Sequence, residues 1–261
     1  MSSKRPGSSP GDNSLASISF FRFDGANNRW WAFKQMQLAR QALAELPGSN
    51  FIKLMGCGAF GGFSWWPDFG TYAIFSSWKD RESYRYFRNE SAVLTDFDDR
   101  ATSSFHVLLE PMRSHGTWSG RKLFQPPSES SESPGGFMAV LTRATVNPWK
   151  IVPFWQLVPA ISRQLAKQSG HVFSRGMGEW PFFELTTFSI WQSEALMKQF
   201  AYGAPAHLKA IKDTRRKSLF REDLFARFKV LSINGSWEKR SFNYNAGSSR
   251  AEPAIMEALQ S

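Results

Sequence analysis

Hydrophobic and polar positions alternate with period two over "ASISFFRF" (16–23) and then take the helical period over "WAFKQMQLARQALAEL" (31–46), which stops ahead of a Pro-Gly pair. "NFIKLMGCG" (50–58) and "TYAIFSSW" (71–78) read as strands on either side of a Gly-rich loop. "DRESYRYFRN" (80–89) predicts a helix with Asp80 as its N-cap, and "SSFHVLLEPM" (103–112) a fourth strand. The same succession then returns: "FMAVLTRATV" (137–146), "IVPFWQLVPAISRQLAKQ" (151–168), "HVFSRGMG" (171–178), "ELTTFSIW" (184–191), "SEALMKQFA" (193–201) and "ARFKVLSI" (226–233).

The recurrence extends to residue identity. "FSSWKDRESYRYF" (75–87) matches "FSIWQSEALMKQF" (188–200), pairing Phe75 with Phe188, Trp78 with Trp191 and Phe87 with Phe200, each 113 apart. "FRFDGANNRWWAF" (21–33) resembles "TRATVNPWKIVPF" (142–154), pairing Arg22 with Arg143, and "HGTWSG" echoes "NGSWEK", pairing Trp118 with Trp237. Strand, helix, strand, strand, helix, strand is the split βαβ order, whose sheet carries helices on one face only. Two copies in one chain can cover each other's bare face. The expected fold is α+β: tandem ferredoxin-like repeats forming a fused dimeric α/β barrel. The expected boundaries are a tail at 1–14, a first repeat at 15–120, a Pro/Ser/Gly/Glu linker at 121–136, a second repeat at 137–237 and a loosely tied tail at 238–261.

Composition narrows the partners. With 24 Phe and 11 Trp, the chain can wall an apolar pocket or simply fill an aromatic core. A formal charge of +10 favours anionic partners, whether acidic lipid, an acidic protein or a carboxylate-bearing ligand. Zinc-ligand spacing, an RNP-type motif and a dense basic block are all missing, so nucleic acid is the partner least expected. Cys57 is the only cysteine, which points to a reducing compartment. The polar start of the chain reads as a disordered tail rather than a signal peptide, and no apolar run reaches the roughly 18 residues of a membrane span. A cytoplasmic protein, peripheral to a membrane at most, is the expectation.

Where the copies differ, function has room to enter. His207 has no histidine counterpart, since a 113-residue shift lands on Leu94. The segment from Phe200 to Trp237 is six residues longer than that from Phe87 to Trp118, room for a fuller helical passage over 206–228. Pro205 suits the first turn of such a helix, where His207 and Ile211 share a face. His207 is then either a capping or partly buried histidine or a ligand to iron.

Together these strings resemble the spheroidene monooxygenase family of carotenoid biosynthesis. The resemblance rests on "SFFRFD", "RWWAFKQMQLARQALAELPG", "FIKLMGCGAFGGF", "LTRATVNPWKIVPFWQLVPAISRQL", "VFSRGMGEWPFFELTTFSIW", "APAHLKAI" and "FREDLFARFKVL", and covers about residues 15 to 237. It implies a b-type haem and O2, a linear polyene substrate whose methylene becomes a hydroxyl or ketone, and a ferredoxin-like electron donor. It makes His207 the axial-ligand candidate, although Ala206 here separates Pro205 from that histidine. Glu179 and Glu184 are candidates to orient the imidazole. Arg143 and Arg175 are candidates for the haem propionates, because guanidinium forks suit carboxylates. A structural role shared with Arg22, or a tight turn at "GMGE", competes for each. Trp149, Phe154, Trp155, Trp180 and Phe182 would wall the ligand or belong to the core. Cys57 is either a thiolate ligand or, with no nearby base to lower its pKa, a buried or loop cysteine, the latter being expected; His106, His115 and His171 are expected at the surface or on the distal side.

Overall fold

The computed structural model describes residues 15–59, 64, 66–124, 135–166, 168–180, 182–203 and 219–246. Strand β1 (Leu15–Arg22), helix α1 (Ala26–Ala44), β2 (Ser49–Gly58), β3 (Pro67–Trp78), α2 (Arg81–Glu90), α3 (Ala92–Arg100) and β4 (Ser103–Gly116) form the first half. The second half holds β5 (Met138–Val146), α4 (Ile151–Ala166), β6 (His171–Trp180), β7 (Glu184–Trp191), α5 (Glu194–Gly203) and β8 (Phe220–Trp237), followed by β9 (Arg240–Asn245). The helices start where the chain supplies caps. Asp80 accepts from the Ser83 N–H at 2.8 Å, and Ser91 does the same for Leu94 at 3.4 Å.

All strands are antiparallel and join in the order β4-β1-β3-β2-β6-β7-β5-β8-β9, with β4 also paired to β8. That last pairing closes β1–β8 into a barrel, whose other junction, between β2 and β6, is paired only at Gly56–Gly178 and Cys57–Met177. Alternation sends one set of side chains inward. Ile18, Phe20, Met55, Phe75, Phe105, Val107, Leu141, Phe173, Phe188, Ala226 and Phe228 belong to one buried interior cluster. The outward set of the first half (Phe21, Phe23, Leu54, Tyr72, Ile74, Trp78) is buried beneath α1, α2 and α3 with Leu43, Phe87, Leu94 and Phe97.

The strand registers relate the halves position by position. Phe75 faces Ile18 on one side and Lys53 on the other, while Phe188 faces Leu141 and Arg175. Lys53 therefore stands where Arg175 stands, and Phe20 where Arg143 stands. Arg22 is not the counterpart of Arg143: it falls opposite Thr145, two residues further along its strand. Trp118 and Trp237 do correspond. Each lies two residues past a glycine with positive φ, Gly116 (φ 86°) and Gly235 (φ 119°). A Cβ on Gly116 would sit 2.1 Å from the Asp223 carbonyl oxygen, and one on Gly235 2.1 Å from that of Ser104. Both glycines let β4 and β8 approach closely at the closing seam.

Several expectations change. Residues 220–228 continue as β8 rather than helix, because Leu224, Ala226 and Phe228 alternate into the interior. Helix α3 was not anticipated; its Leu94 and Phe97 are buried on the first sheet. Beyond Trp237 the chain forms β9, with Phe242 and Tyr244 buried, instead of a loose tail. Phe124, inside the expected linker, is also buried and packs on Phe75 and Phe228.

The seam gives a direct test. Gly235→Ala combines a disfavoured φ with a clash against backbone, so it should lower unfolding free energy by roughly 2–4 kcal/mol. Gly120→Ala also has positive φ but nothing within 4 Å of its Cβ, and should cost less than half as much by chemical denaturation.

Candidate functional site

Two places concentrate polar chemistry: the interior of the barrel at one end, and the outer face of the second sheet. Inside, Arg143 is 1% exposed between two carboxylates, Glu222 on Nη1 and Glu184 at 3.2 Å from Nη2. Its guanidinium also lies 5.9 Å from the Trp118 ring. Glu222 further accepts from the Gly120 N–H (2.7 Å), the Thr117 hydroxyl (2.8 Å) and the Ser119 N–H (3.2 Å). Burial works against its charge, but these donors and Arg143 hold the carboxyl below its usual range. Glu179 takes the Trp118 indole N–H at 2.6 Å and pairs with Lys53. At the related position Phe20 meets Trp237 edge-on at 6.1 Å, so a ring stands there in place of the Arg143 guanidinium.

Arg175, also buried, pairs with Glu238 at 3.4 Å and lies 5.1 Å from the Trp237 ring. Arg143 and Arg175 thus both face the interior, and both already hold protein carboxylates. Glu179 and Glu184 are engaged in the same interior network. Cys57 is buried on the inner face, where burial pushes its thiol up to about 12. This agrees with the inert cysteine expected.

The outer face differs sharply between halves. Reading equivalent positions from the register, Phe21 is replaced by Ala144, Ile52 by Ser174, Leu54 by Gly176, Tyr72 by Leu185 and Ile74 by Thr187. Each of these five changes removes bulk, while Ser17 to Val140 and Ser19 to Thr142 on β5 add some. The covering helix responds. Helix α1 packs along β2 and β3, whereas among the described residues α4 shows no comparable approach to a strand. It is anchored at its C-terminal end, where Leu165 joins Trp191, Met197 and Phe200. At its other end Trp149, in the 3-10 turn Pro148–Lys150, is 89% exposed and Val152 63% exposed. Phe154 packs on Trp155 and Phe220, and Trp180 is 65% exposed, so these aromatics are not core residues.

Four buried polar atoms around this face have no hydrogen-bond partner among the described residues: Trp155 Nε1, Gln164 Oε1, His171 Nε2 and Arg227 Nε. Arg227 alternates outward from Ala226 and Phe228 and reaches the Tyr202 hydroxyl (3.3 Å) and Glu194 (3.5 Å). It was missed in the sequence because nothing in "LFARFKV" marks its side until the strand register is known. His171 stacks edge-on against Trp191 at 5.5 Å, and burial lowers its pKa. His207 lies outside the described residues. Those residues contain no cluster of three or more His, Cys, Asp or Glu side chains able to hold a metal.

The remaining histidines stand elsewhere. His106 is not a surface residue: it is buried beneath α3 between Ser19 Oγ (2.9 Å) and Asp98 (3.1 Å). His115 stacks on Phe225.

No family model matches the chain. Individual relatives do. It is 37% identical over 222 residues to a spheroidene monooxygenase of Cereibacter sphaeroides, covering 85% of this chain and 68% of that protein. It is 36% identical over 223 residues to a spheroidene monooxygenase of Rhodobacter capsulatus, covering 85% and 92%. The chain belongs to the spheroidene monooxygenase family. As a family member it is an enzyme of monooxygenase type. Among solved structures, an aldoxime dehydratase in complex with butyraldoxime superposes with a TM-score of 0.59 at 11% identity, covering 83% of this chain and 79% of that one. At that identity the likeness shows a shared barrel fold and nothing about chemistry. No described helix of this family member is long and apolar enough to cross a membrane.

Two measurements probe these polar sites. Arg143→Met strands two carboxylates against a buried wall and should cost about 3 kcal/mol of stability. Because burial depresses His106, the unfolded chain takes up a proton first as pH falls. His106 thus contributes fully above its unfolded pKa, roughly 6.5, and that contribution fades below it. Urea melts from pH 8 to 5 should show this decline, and His106→Gln should make it shallower, leaving the share that the buried His171 contributes in the same direction.

Proposed function

We propose that this family member is a haem-dependent monooxygenase that oxidises a methylene of an apolar, carotenoid-like substrate to a hydroxyl or ketone with O2, and that its two halves are tandem ferredoxin-like repeats. The observation that carries the haem reading is the trimmed outer face of the second sheet. Large-to-small changes in a packed layer cost roughly 2–5 kcal/mol each when nothing takes up the space, so a run of them suits a face that accepts a flat apolar group. The apolar sequence of α4 supplies the second wall, and unpartnered buried polar atoms stand at the margin.

On this reading His207 would hold the iron, and Arg227, on the outer face, would meet a haem carboxylate. Arg143 and Arg175 stay with their interior carboxylates and brace the sheet from behind. When bound, haem iron supplies the activation of O2. The chain's own work is to hold the ring between β6, β7 and α4, to keep water from the reacting carbon, and to orient the polyene with aromatic side chains. The electron donor expected is a ferredoxin-like protein, steered by the positive charge of this chain.

A second reading keeps haem on the same trimmed face and changes the chemistry, to a peroxidase-like reaction or a dehydration of a different apolar metabolite, because the face selects for shape and not for reaction. Product analysis separates the two.

The test is an absorption spectrum of the full chain expressed with haem precursor, beside His207→Ala and Gly176→Leu/Thr187→Ile. The last variant restores the bulk found in the first half. A Soret band in the parent that is lost in both variants, with the refilled variant melting no lower than the parent, is the expected outcome. A band that survives refilling would move the cofactor off this face. No band in any protein would withdraw haem and favour a metal-free binder of lipids or isoprenoids.

A further inference from the structure

The first half carries an exposed feature that a monooxygenase site in the second half does not use. Helix α1 buries Ala32, Ala39 and Leu43 on its sheet, yet its opposite side is not polar. Trp30 is 61% exposed, Phe33 45% and Leu38 65%. Trp30 and Phe33 stack at 5.7 Å, and Phe33 meets the exposed Phe69 of β3 edge-on at 6.1 Å. These rings form one continuous apolar ridge. A helical wheel puts Trp30 about opposite the buried face, with Phe33 and Arg40 on one flank and Lys34 and Leu38 on the other.

The charge on this helix has one sign. Residues 26–44 contain Arg29, Lys34 and Arg40 and no Asp or Glu. The nearby acids are already satisfied. Asp24 is bonded to Arg29 and Thr102, Asp68 accepts from the Gly70 N–H and the Thr71 hydroxyl, and Glu45 accepts from Gln41. A groove beside the ridge is lined by Phe33, Lys34, Met36, Gln37, Leu38 and Arg40.

We propose that the outer face of α1, with Phe69, is a docking surface for an anionic lipid bilayer. Outward Trp and Phe with flanking Lys and Arg are the groups that enter the headgroup boundary of a membrane, where rings bury their apolar faces and cations meet lipid phosphates. Arg29 already has Asp24, but Lys34 and Arg40 pair with no carboxylate among the described residues, and a soluble partner of mixed charge would set its own cations against them. This inference rests on the first half alone and stands whether or not the second half binds haem.

The experiment is co-sedimentation of the full chain with vesicles of phosphatidylcholine alone and of phosphatidylcholine with 30% phosphatidylglycerol. Binding to the anionic vesicles only is expected. It should fall about fivefold for each of Lys34→Gln and Arg40→Gln, and about tenfold or more for Trp30→Ser/Phe33→Ser. All these side chains are exposed, so melting temperatures should be unchanged. As a second readout, an environment-sensitive fluorophore on Phe33→Cys should brighten with anionic vesicles while one on Tyr86→Cys, on α2, should not. Buried Cys57 is not expected to react with the label. Absence of vesicle binding, equal binding by the Trp30→Ser/Phe33→Ser variant, or brightening at both positions would overturn the proposal. So would a dimer in light scattering that Trp30→Ser/Phe33→Ser converts to monomer, since the ridge would then belong to a second copy.

Discussion

The ladder between β4 and β8 is the contact on which the rest of the molecule depends. It joins the last strand of one half to the last strand of the other, and with the short β2–β6 pairing it turns two four-stranded sheets into a closed barrel. Without it two long strands would present unpaired backbone to solvent and the aromatic interior would be open along one side. Its closeness is set by backbone alone. Gly116 and Gly235 bring each strand against a carbonyl of the other at distances no side chain tolerates. The two tryptophans that follow then turn inward, Trp118 onto Phe51 and Phe75, and Trp237 onto Phe20 and Phe173.

Closure explains why the interior can carry charge. Arg143 is sealed from water, so its guanidinium persists there only because Glu222 and Glu184 meet it and the backbone of Gly120 and Ser119 meets Glu222. Such a network adds little net stability over an apolar filling, but it tolerates few alternative arrangements. At the related position Phe20 stands against Trp237, a ring in place of the guanidinium.

Much of this was legible in the sequence, and the failures share a cause. The alternation of "ASISFFRF", the Asp80 cap and the recurring tryptophans led to the α+β class and a barrel of two halves. Strand register was not legible. A shift by two residues keeps every side chain on its face, so aligning Arg22 with Arg143 satisfied the pattern while being wrong by one inward position. The trimmed outer face is visible only once register is known, because Leu54 and Gly176, or Ile74 and Thr187, look unrelated in a linear reading. The strand at 220–228 was obscured by charges that also fit a helix, and β9 by a short span of mixed polarity. For the candidate site, His207 was singled out because it lacks a counterpart, whereas Arg227 needed the barrel to give it a side.

A barrel filled with rings and ion pairs is a partition rather than a vessel. The sheet surfaces on its two flanks do not share side chains, so a substitution on one is not felt as a cavity on the other. The first flank, with its full layer of large residues under three helices, holds the reserve of folding free energy. The second has given up part of that layer, and its described apolar contacts gather where Leu165 of α4 meets Trp191, Met197 and Phe200. A change on the second flank can therefore be made without disturbing the packing that holds the first.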